Sequence, residues 1–191
     1  MIEELITGNR SYRRFYENEA VSLDTLKWLV NLARLSASGA NLQPLKYYLA
    51  HEPSRNAAIF SCLAWAAYLK NWPGPAEGER PAAYIIIQGD KDISQNFGCD
   101  HGIAAQSILL GAREQGLGGC ILGSIQRDRL KNLLELPENL EILLVIALGR
   151  PREKVVLEEI APGADIKYWR DPQEVHHVPK RRLEDIIINW A

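Results

Sequence analysis

The chain has 191 residues, 47% apolar and 24% charged, with a formal net charge of −2. That is enough for one domain with a sizeable core, in proportions ordinary for a globular protein. The slight acidity argues against a general nucleic-acid binder, which needs a net basic face to gain from counterion release. Residues 2–8 read as a short helix ending at Gly8. Ser22 opens a second, with Leu23, Leu26, Leu29, Val30 and Ala33 at helical spacing, stopping near Ser36–Gly39. Residues 46–51 read as a short strand. Ser54 can cap a helix running on through 70, which Pro73 and Gly74 terminate, and 71–81 is a loop rich in proline and glycine.

The run "AAYIIIQG" (82–89) is apolar on both faces and β-branched, so it predicts a buried strand. Residues 99–116 predict a helix that is apolar nearly all round, hence buried and closely packed. The glycine-rich "GLGGCILG" (116–123) leads into a helix at 127–135 that stops before Pro137. "LEILLVIALG" (140–149) is a second buried strand. The tail from 150 to 191 has too few elements for its own domain and is expected to wrap over the body or over another subunit. Helices outnumber strands without strict alternation, which predicts a single α+β layered domain over 1–191. A GxGxxG turn after the first strand is missing, so a Rossmann dinucleotide site is not expected.

Cys62, Cys99 and Cys120 are widely spaced, without a CxxC pair or Cys/His ligand spacing. Neither a disulfide framework nor a metal site is indicated, and a cytoplasmic setting fits. The N-terminus carries acids where a signal peptide wants lysines, and no stretch approaches the ~20 apolar residues of a membrane span. Cys120 reads as a small buried hydrophobe rather than a nucleophile. Asp100-His101 reads as a helix cap, and His176-His177, adjacent on a strand, point to opposite faces and so do not share a metal. Trp65, Trp72, Trp169 and Trp190 can be core, interface or pocket wall.

Two basic clusters stand out: Arg10, Arg13 and Arg14 near one end, and Lys180, Arg181 and Arg182 near the other. Brought together, they would seat one multiply charged anion such as a phosphomonoester, with Ser11 as a further donor. Left apart, they are solvated charge runs.

The residues around them carry a resemblance. "RSYRRF" at 10–15 resembles the "RRSxRxF" opening of the nitroreductase family, the FMN-dependent NAD(P)H oxidoreductases. "SASGANLQP" at 36–44 is similar to that family's "APSGxNxQPW". "GLGGCILG" at 116–123 resembles its "GLGTCWIG", and "VPKRRLEDII" at 178–187 its C-terminal basic motif. The four motifs fall in family order and span nearly the whole chain.

The resemblance implies a nitroreductase-like fold: a central mixed sheet flanked by helices, in an intertwined homodimer. Residues from about 150 to 191 would form an extension packing on the partner subunit, with 183–190 embracing it. FMN would sit at the interface. Arg10 and Ser11 would lie near the ribityl phosphate, with Lys180 and Arg182 completing its seat, and Arg13 would reach the pyrimidine edge. Ser38, Asn41 and Gln43 would come from the second subunit. Leu122 and Gly123 would lie along the flavin, Gly123 presenting its backbone N–H to N5. The implied reaction is ping-pong: NADH or NADPH passes hydride to flavin N5, and a small oxidant such as a nitroaromatic or quinone takes the electrons. No side chain is required as a catalytic acid. Two alternatives share parts of this expectation: a specialised flavoenzyme of the same fold, dehalogenase-like or flavin-destroying, and a non-catalytic flavin-binding or sensing module. Neither nucleic acid nor membrane is an expected partner. Asn9, Ala37, Leu45 and Ile121 depart from the family pattern, which touches the substrate more than the cofactor.

Overall fold

A computed structural model describes residues 1–189; Trp190 lies outside them. Two sheets organise the chain. The larger is four-stranded, in the order β1 (Leu45–Ala50), β2 (Ala83–Asp90), β4 (Leu140–Gly149), β3 (Gly118–Leu122). Its neighbouring strands are all antiparallel, and the backbone of Ser11 adds a parallel bridge to Gly119 at the β3 edge. The smaller sheet is mixed: β5 (Val155–Ile160) runs parallel to β7 (His176–Arg181), and β6 (Trp169–Arg170) antiparallel to it.

Every residue of β2 is buried. A strand alternates its side chains between two faces, so β2 must be covered on both. Ile85 and Ile87 face one core with Ile146, Leu148, and the buried sides of α2 (Leu23–Arg34) and α4 (Asp100–Glu114). Tyr84 and Ile86 face a second core with Val145, Ala147 and Cys120. It is closed by Ile59 of α3 (Pro53–Phe60), Leu130 of α5 (Arg127–Leu133), and Trp65. The result is a layered α+β domain, with α1 (Ile2–Gly8) packed near α4.

Local chemistry explains most boundaries. Ser22 caps α2 by accepting from the Thr25 amide at 3.0 Å, and Leu26, Leu29 and Ala33 form its buried stripe. The small residues of α4 let α2 approach: a Cβ on Gly111 would press on Leu29 and Trp28.

The helix expected through residue 70 ends at Phe60 instead, and Pro53 occupies its first turn. The chain then crosses to residues 124–126. Ala64 N donates to Ser124 O (3.0 Å) and Gln126 N to Cys62 O (2.9 Å). Ala66 takes a left-handed φ of 43°, and Trp65 is buried beside Phe60. Continuing the helix would forfeit these pairings. Within the glycine-rich segment, residues 118–122 form an edge strand. A Cβ on Gly119 would lie 2.6 Å from the Ala147 carbonyl oxygen, so only glycine lets β3 approach β4 this closely. The tail holds three strands, and residues 151–176 pack on this chain's own N-terminal segment through Phe15–Pro151, Arg14–Arg152 and Arg13–Glu153 contacts.

Candidate functional site

The basic stretch near the N-terminus is pinned through its backbone amides from Tyr12 to Tyr16. Tyr12 N donates to Gly119 O (3.0 Å) and Phe15 N to Glu79 O (2.9 Å). Tyr12, Arg13 and Phe15 are buried, while Ser11 is exposed and Arg10 partly so. A cavity of about 300 Å³ opens beside it, lined by Arg10, Ser11, Arg13, Lys180, Tyr168 and His176 among others. The two ends of the chain thus meet: β7 carries Lys180 to the arginines. Asn9 also lines this cavity, with Leu109 and Gln106 of α4, Ile121 of β3 and Val178 of β7 as further walls.

Among the described residues, no carboxylate lies within 4.0 Å of the charged groups of Arg10, Arg13 or Lys180, although many other cations are paired. Arg10 instead donates to carbonyls at the end of α1, Nη2 to Ile6 O at 2.7 Å and Nε to Asn9 O at 2.6 Å. Burial lowers its pKa from the ordinary arginine value.

Arg13 is buried. Its Nη1 donates to Ser11 O (3.2 Å) and lies 3.1 Å from His176 Nε2, and its Cζ sits 4.7 Å from the Tyr168 ring centroid. Glu153, its carboxylate fully buried, accepts the backbone amides of Arg13 and Arg14 and pairs with Arg170 at 2.8 Å. Burial first, then the charges of Arg13 and Arg170, depress the pKa of His176 to about 4. Burial likewise pushes the Cys120 thiol up, which leaves it inert as a nucleophile. Arg14 points away from the cavity, forked on Glu79 at 2.6 and 2.7 Å and paired with Glu174 at 2.7 Å.

Ser38 and Gln43 line a different cavity, of about 170 Å³, with Ser36, Leu45, Tyr47 and Asp100. Here polar groups close on one another. Ser38 Oγ donates to Asp100 at 2.6 Å and accepts from Gln43 N at 2.9 Å; Gly39 N donates to Asp100 at 2.9 Å. Gln43 Nε2 reaches Asn41 O at 3.2 Å. Burial, aided by the Asp100 charge, raises the Tyr47 pKa to about 12. Ala40, Asn41 and Gln43 all have left-handed φ angles, at 48°, 55° and 52°, a conformation that non-glycine residues rarely take and that clusters at ligand sites.

The structure therefore gathers Arg10, Ser11, Arg13 and Lys180 in one cavity and places Ser38 and Gln43 in another. Asn41 is exposed on the turn between Gly39 and Leu42 and lines neither. Leu122 is buried in the second core and lines neither cavity. Gly123 is exposed, with open space where a Cβ would stand. Arg182 lies beyond the end of β7 with its Nε 3.5 Å from Glu159, away from Lys180's cavity. His176, Tyr168, Glu153 and Gln106 are cavity and support residues that the motifs did not point to. Only the alternation of His176 and His177 was readable, and it holds: His176 is 1% exposed, whereas His177 meets Asp171 and Glu158 on the outer side. Among the described residues no His, Cys, Asp and Glu group is placed to hold a metal, and no helix is long and apolar enough to cross a membrane.

The chain is similar to several known proteins. A protein of Archaeoglobus fulgidus named as an NADH dehydrogenase/NAD(P)H nitroreductase is 25% identical over 181 residues, covering 91% of this chain and 95% of that protein. An NADPH-flavin oxidoreductase of Vibrio harveyi is 33% identical over 79 residues, 40% of this chain and 33% of its own length. Among solved structures, an FMN-dependent nitroreductase of Clostridium difficile superposes with a TM-score of 0.66 at 22% identity, over 81% of this chain and 89% of that one. A nitroreductase-like protein of Streptococcus mutans reaches 0.67 at 16% identity, over 80% and 91%. The sequence profile of the nitroreductase family matches residues 6–150, from α1 through β4, and the chain belongs to that family.

Proposed function

We propose that the chain is an FMN-dependent oxidoreductase that moves electrons from NAD(P)H through bound flavin to a small oxidant, a nitroaromatic or a quinone, and that it works as a homodimer. One observation carries the reading: Arg10, Arg13 and Lys180 line a single cavity with Ser11, and among the described residues no carboxylate pairs with their charged groups. Arg13 is buried, Arg10 partly so and Lys180 exposed, and a buried cation without a partner is costly unless an anion completes it. The names of the Archaeoglobus, Vibrio and Clostridium relatives support flavin and nicotinamide as the molecules involved.

The donor set fits FMN in kind. Arginine, lysine and hydroxyl donors suit its phosphate, and Leu109, Ile121 and Val178 offer apolar wall. When bound, FMN would supply the ring nitrogen N5 that accepts hydride from a nicotinamide and returns it to an oxidant. The chain's own contributions are positional and electrostatic. Arg10, Ser11 and Lys180 hold the phosphate; Arg182, paired with Glu159 away from this cavity, is not part of the seat in this chain. Arg13 keeps a fixed positive charge near the pyrimidine edge, where reduction leaves negative charge. Gly123 exposes a backbone N–H without a side chain in the way, and Leu122 backs it from the core. Ser38, Asn41 and Gln43 act on the flavin of a second copy, which accounts for their lying outside this cavity in one chain.

The test is a visible absorption spectrum of the purified protein, then NADH or NADPH added without air. The expected result is a flavin band that bleaches and returns when a nitroaromatic or quinone is added. Retained flavin that neither nicotinamide bleaches would replace this reading with the binding module. A colourless protein that takes up no added FMN would overturn the cofactor assignment.

A further inference from the structure

The small sheet gives the cavity an element that the basic motifs do not contain. Arg13 is aimed by three neutral groups. Ser11 O accepts from Nη1, the Tyr168 ring lies under the guanidinium, and His176 Nε2 stands 3.1 Å from Nη1. A guanidinium only donates, so Nε2 must accept and the His176 proton must sit on Nδ1. Among the described residues Nδ1 is buried without a partner, so the imidazole is oriented by Arg13 and not by a group behind it. The nearby acid, Glu153, is taken by Arg170 and by the backbone amides of Arg13 and Arg14. Neither Nε nor Nη2 of Arg13 meets an oxygen acceptor among the described residues. The arrangement holds an arginine still without neutralising it. A carboxylate in place of His176 would hold it as well and cancel its charge.

We propose that His176 is a positioning residue for the flavin site: it fixes the Arg13 guanidinium toward the cavity as a neutral acceptor, so that the full positive charge faces the ligand. The functional half of this statement rests on the FMN reading above; the structural half does not. The groups facing the imidazole are Arg13 and Arg170 as charges and Tyr168 as a ring 5.2 Å away, with His177 next along the strand.

Two measurements test it. Nitrogen NMR of the imidazole in the wild-type protein, before flavin is added, should give the Nδ1–H tautomer at neutral pH; the Nε2–H tautomer or a charged ring would overturn the clamp whatever the cofactor proves to be. The second measurement is the FMN dissociation constant and the midpoint potential of bound flavin in a graded set. His176→Gln keeps an acceptor and should bind FMN within about threefold of wild type. His176→Leu removes it and should bind about tenfold more weakly, the scale of one hydrogen bond to a charged group. His176→Glu should bind weakest, with the potential moved negative because a carboxylate offsets Arg13. Gln and Leu variants equally impaired in binding, or a Leu variant that binds like wild type, would overturn the proposal. A wild type that binds no FMN but shows the Nδ1–H tautomer would overturn the functional half alone.

Discussion

The charged groups of Arg10, Arg13 and Lys180 face their cavity unpaired by any carboxylate among the described residues, whereas Ser38, at the other cavity, has both its hydrogen-bonding roles occupied within its own chain. The first region holds donors open, and its positive charge is offset fully only when an anion arrives. The second closes its polar groups on one another and stabilises a shape. Its three left-handed residues cost of order 1 kcal/mol each, and that strain persists because Asp100 ties Ser38 and Gly39 together. One region is organised for charge and the other for backbone conformation. Substitutions should therefore fail differently in the two, in ligand affinity on one side and in folding on the other.

The largest effect is expected where shape is at stake. Asp100→Ala leaves the Ser38 hydroxyl and the Gly39 amide without their acceptor at a mostly buried position. The expected loss is about 3 kcal/mol of stability, since two hydrogen bonds to a charged group go at once, and urea unfolding measures it. Undiminished stability would mean that the loop holds itself and the contrast is misdrawn. On the other side, Arg13→Ala is expected to weaken FMN binding by about 2 kcal/mol, roughly thirtyfold in Kd, and to slow flavin reduction. Fluorescence titration with FMN reads the first quantity and anaerobic stopped-flow the second. Unchanged values in both would remove Arg13 from the site.

How far these regions were legible beforehand follows the same division. β2 and β4 announced themselves because burial on both faces demands an apolar run, and α2 because one buried side imposes helical spacing. Arg10, Ser11 and Arg13 were legible as motif residues because their spacing is local, and Lys180 as part of a second motif, but their meeting in one cavity depends on where β7 runs. The turn out of α3 was not. Its apolar residues keep helical spacing, but Cys62 and Trp65 are buried by a crossing to Ser124 and Gln126 that no local pattern records. Arg13 and His176 stand 163 residues apart in sequence, and only the parallel pairing of β5 with β7 brings the histidine under the arginine. A contact made by topology leaves no spacing to read.

The charged region also predicts a dependence on pH. The folded pKa of His176 is depressed to about 4 from 6.5, so as pH falls the unfolded chain takes up its proton first. Stability from this group is complete above about pH 6.5 and drains away toward pH 4. His177 runs the other way: its pKa is raised, chiefly by its hydrogen bond to Asp171, so its contribution is lost as pH rises. His176 is the buried one of the pair and should dominate. Wild type is expected to lose several degrees of Tm between pH 6.5 and 4.5 beyond what His176→Gln loses, as calorimetry on the two proteins would record. Equal losses would show that the ring titrates normally and is not enclosed as described.

Arg14 supplies the smallest effect and the strictest control, because it is the neighbour of Arg13 with the opposite environment. Its guanidinium is forked on Glu79 and touches Glu174. Those acids raise its pKa as it lowers that of Glu79. The network joins the N-terminal segment to the end of the 71–81 loop and to the turn before β7, and points away from the cavity. A bidentate, partly exposed pair is worth about 1 kcal/mol. Arg14→Ala is therefore expected to cost about that much in urea unfolding, and to leave the FMN dissociation constant where it was. If Arg14→Ala weakened FMN binding as much as Arg13→Ala, positive charge anywhere on this segment would suffice, and the distinction between paired and unpaired arginines would lose its meaning. If it altered only stability, an unpaired guanidinium facing the cavity, and not positive charge on the segment as such, would be what makes Arg13 a ligand group.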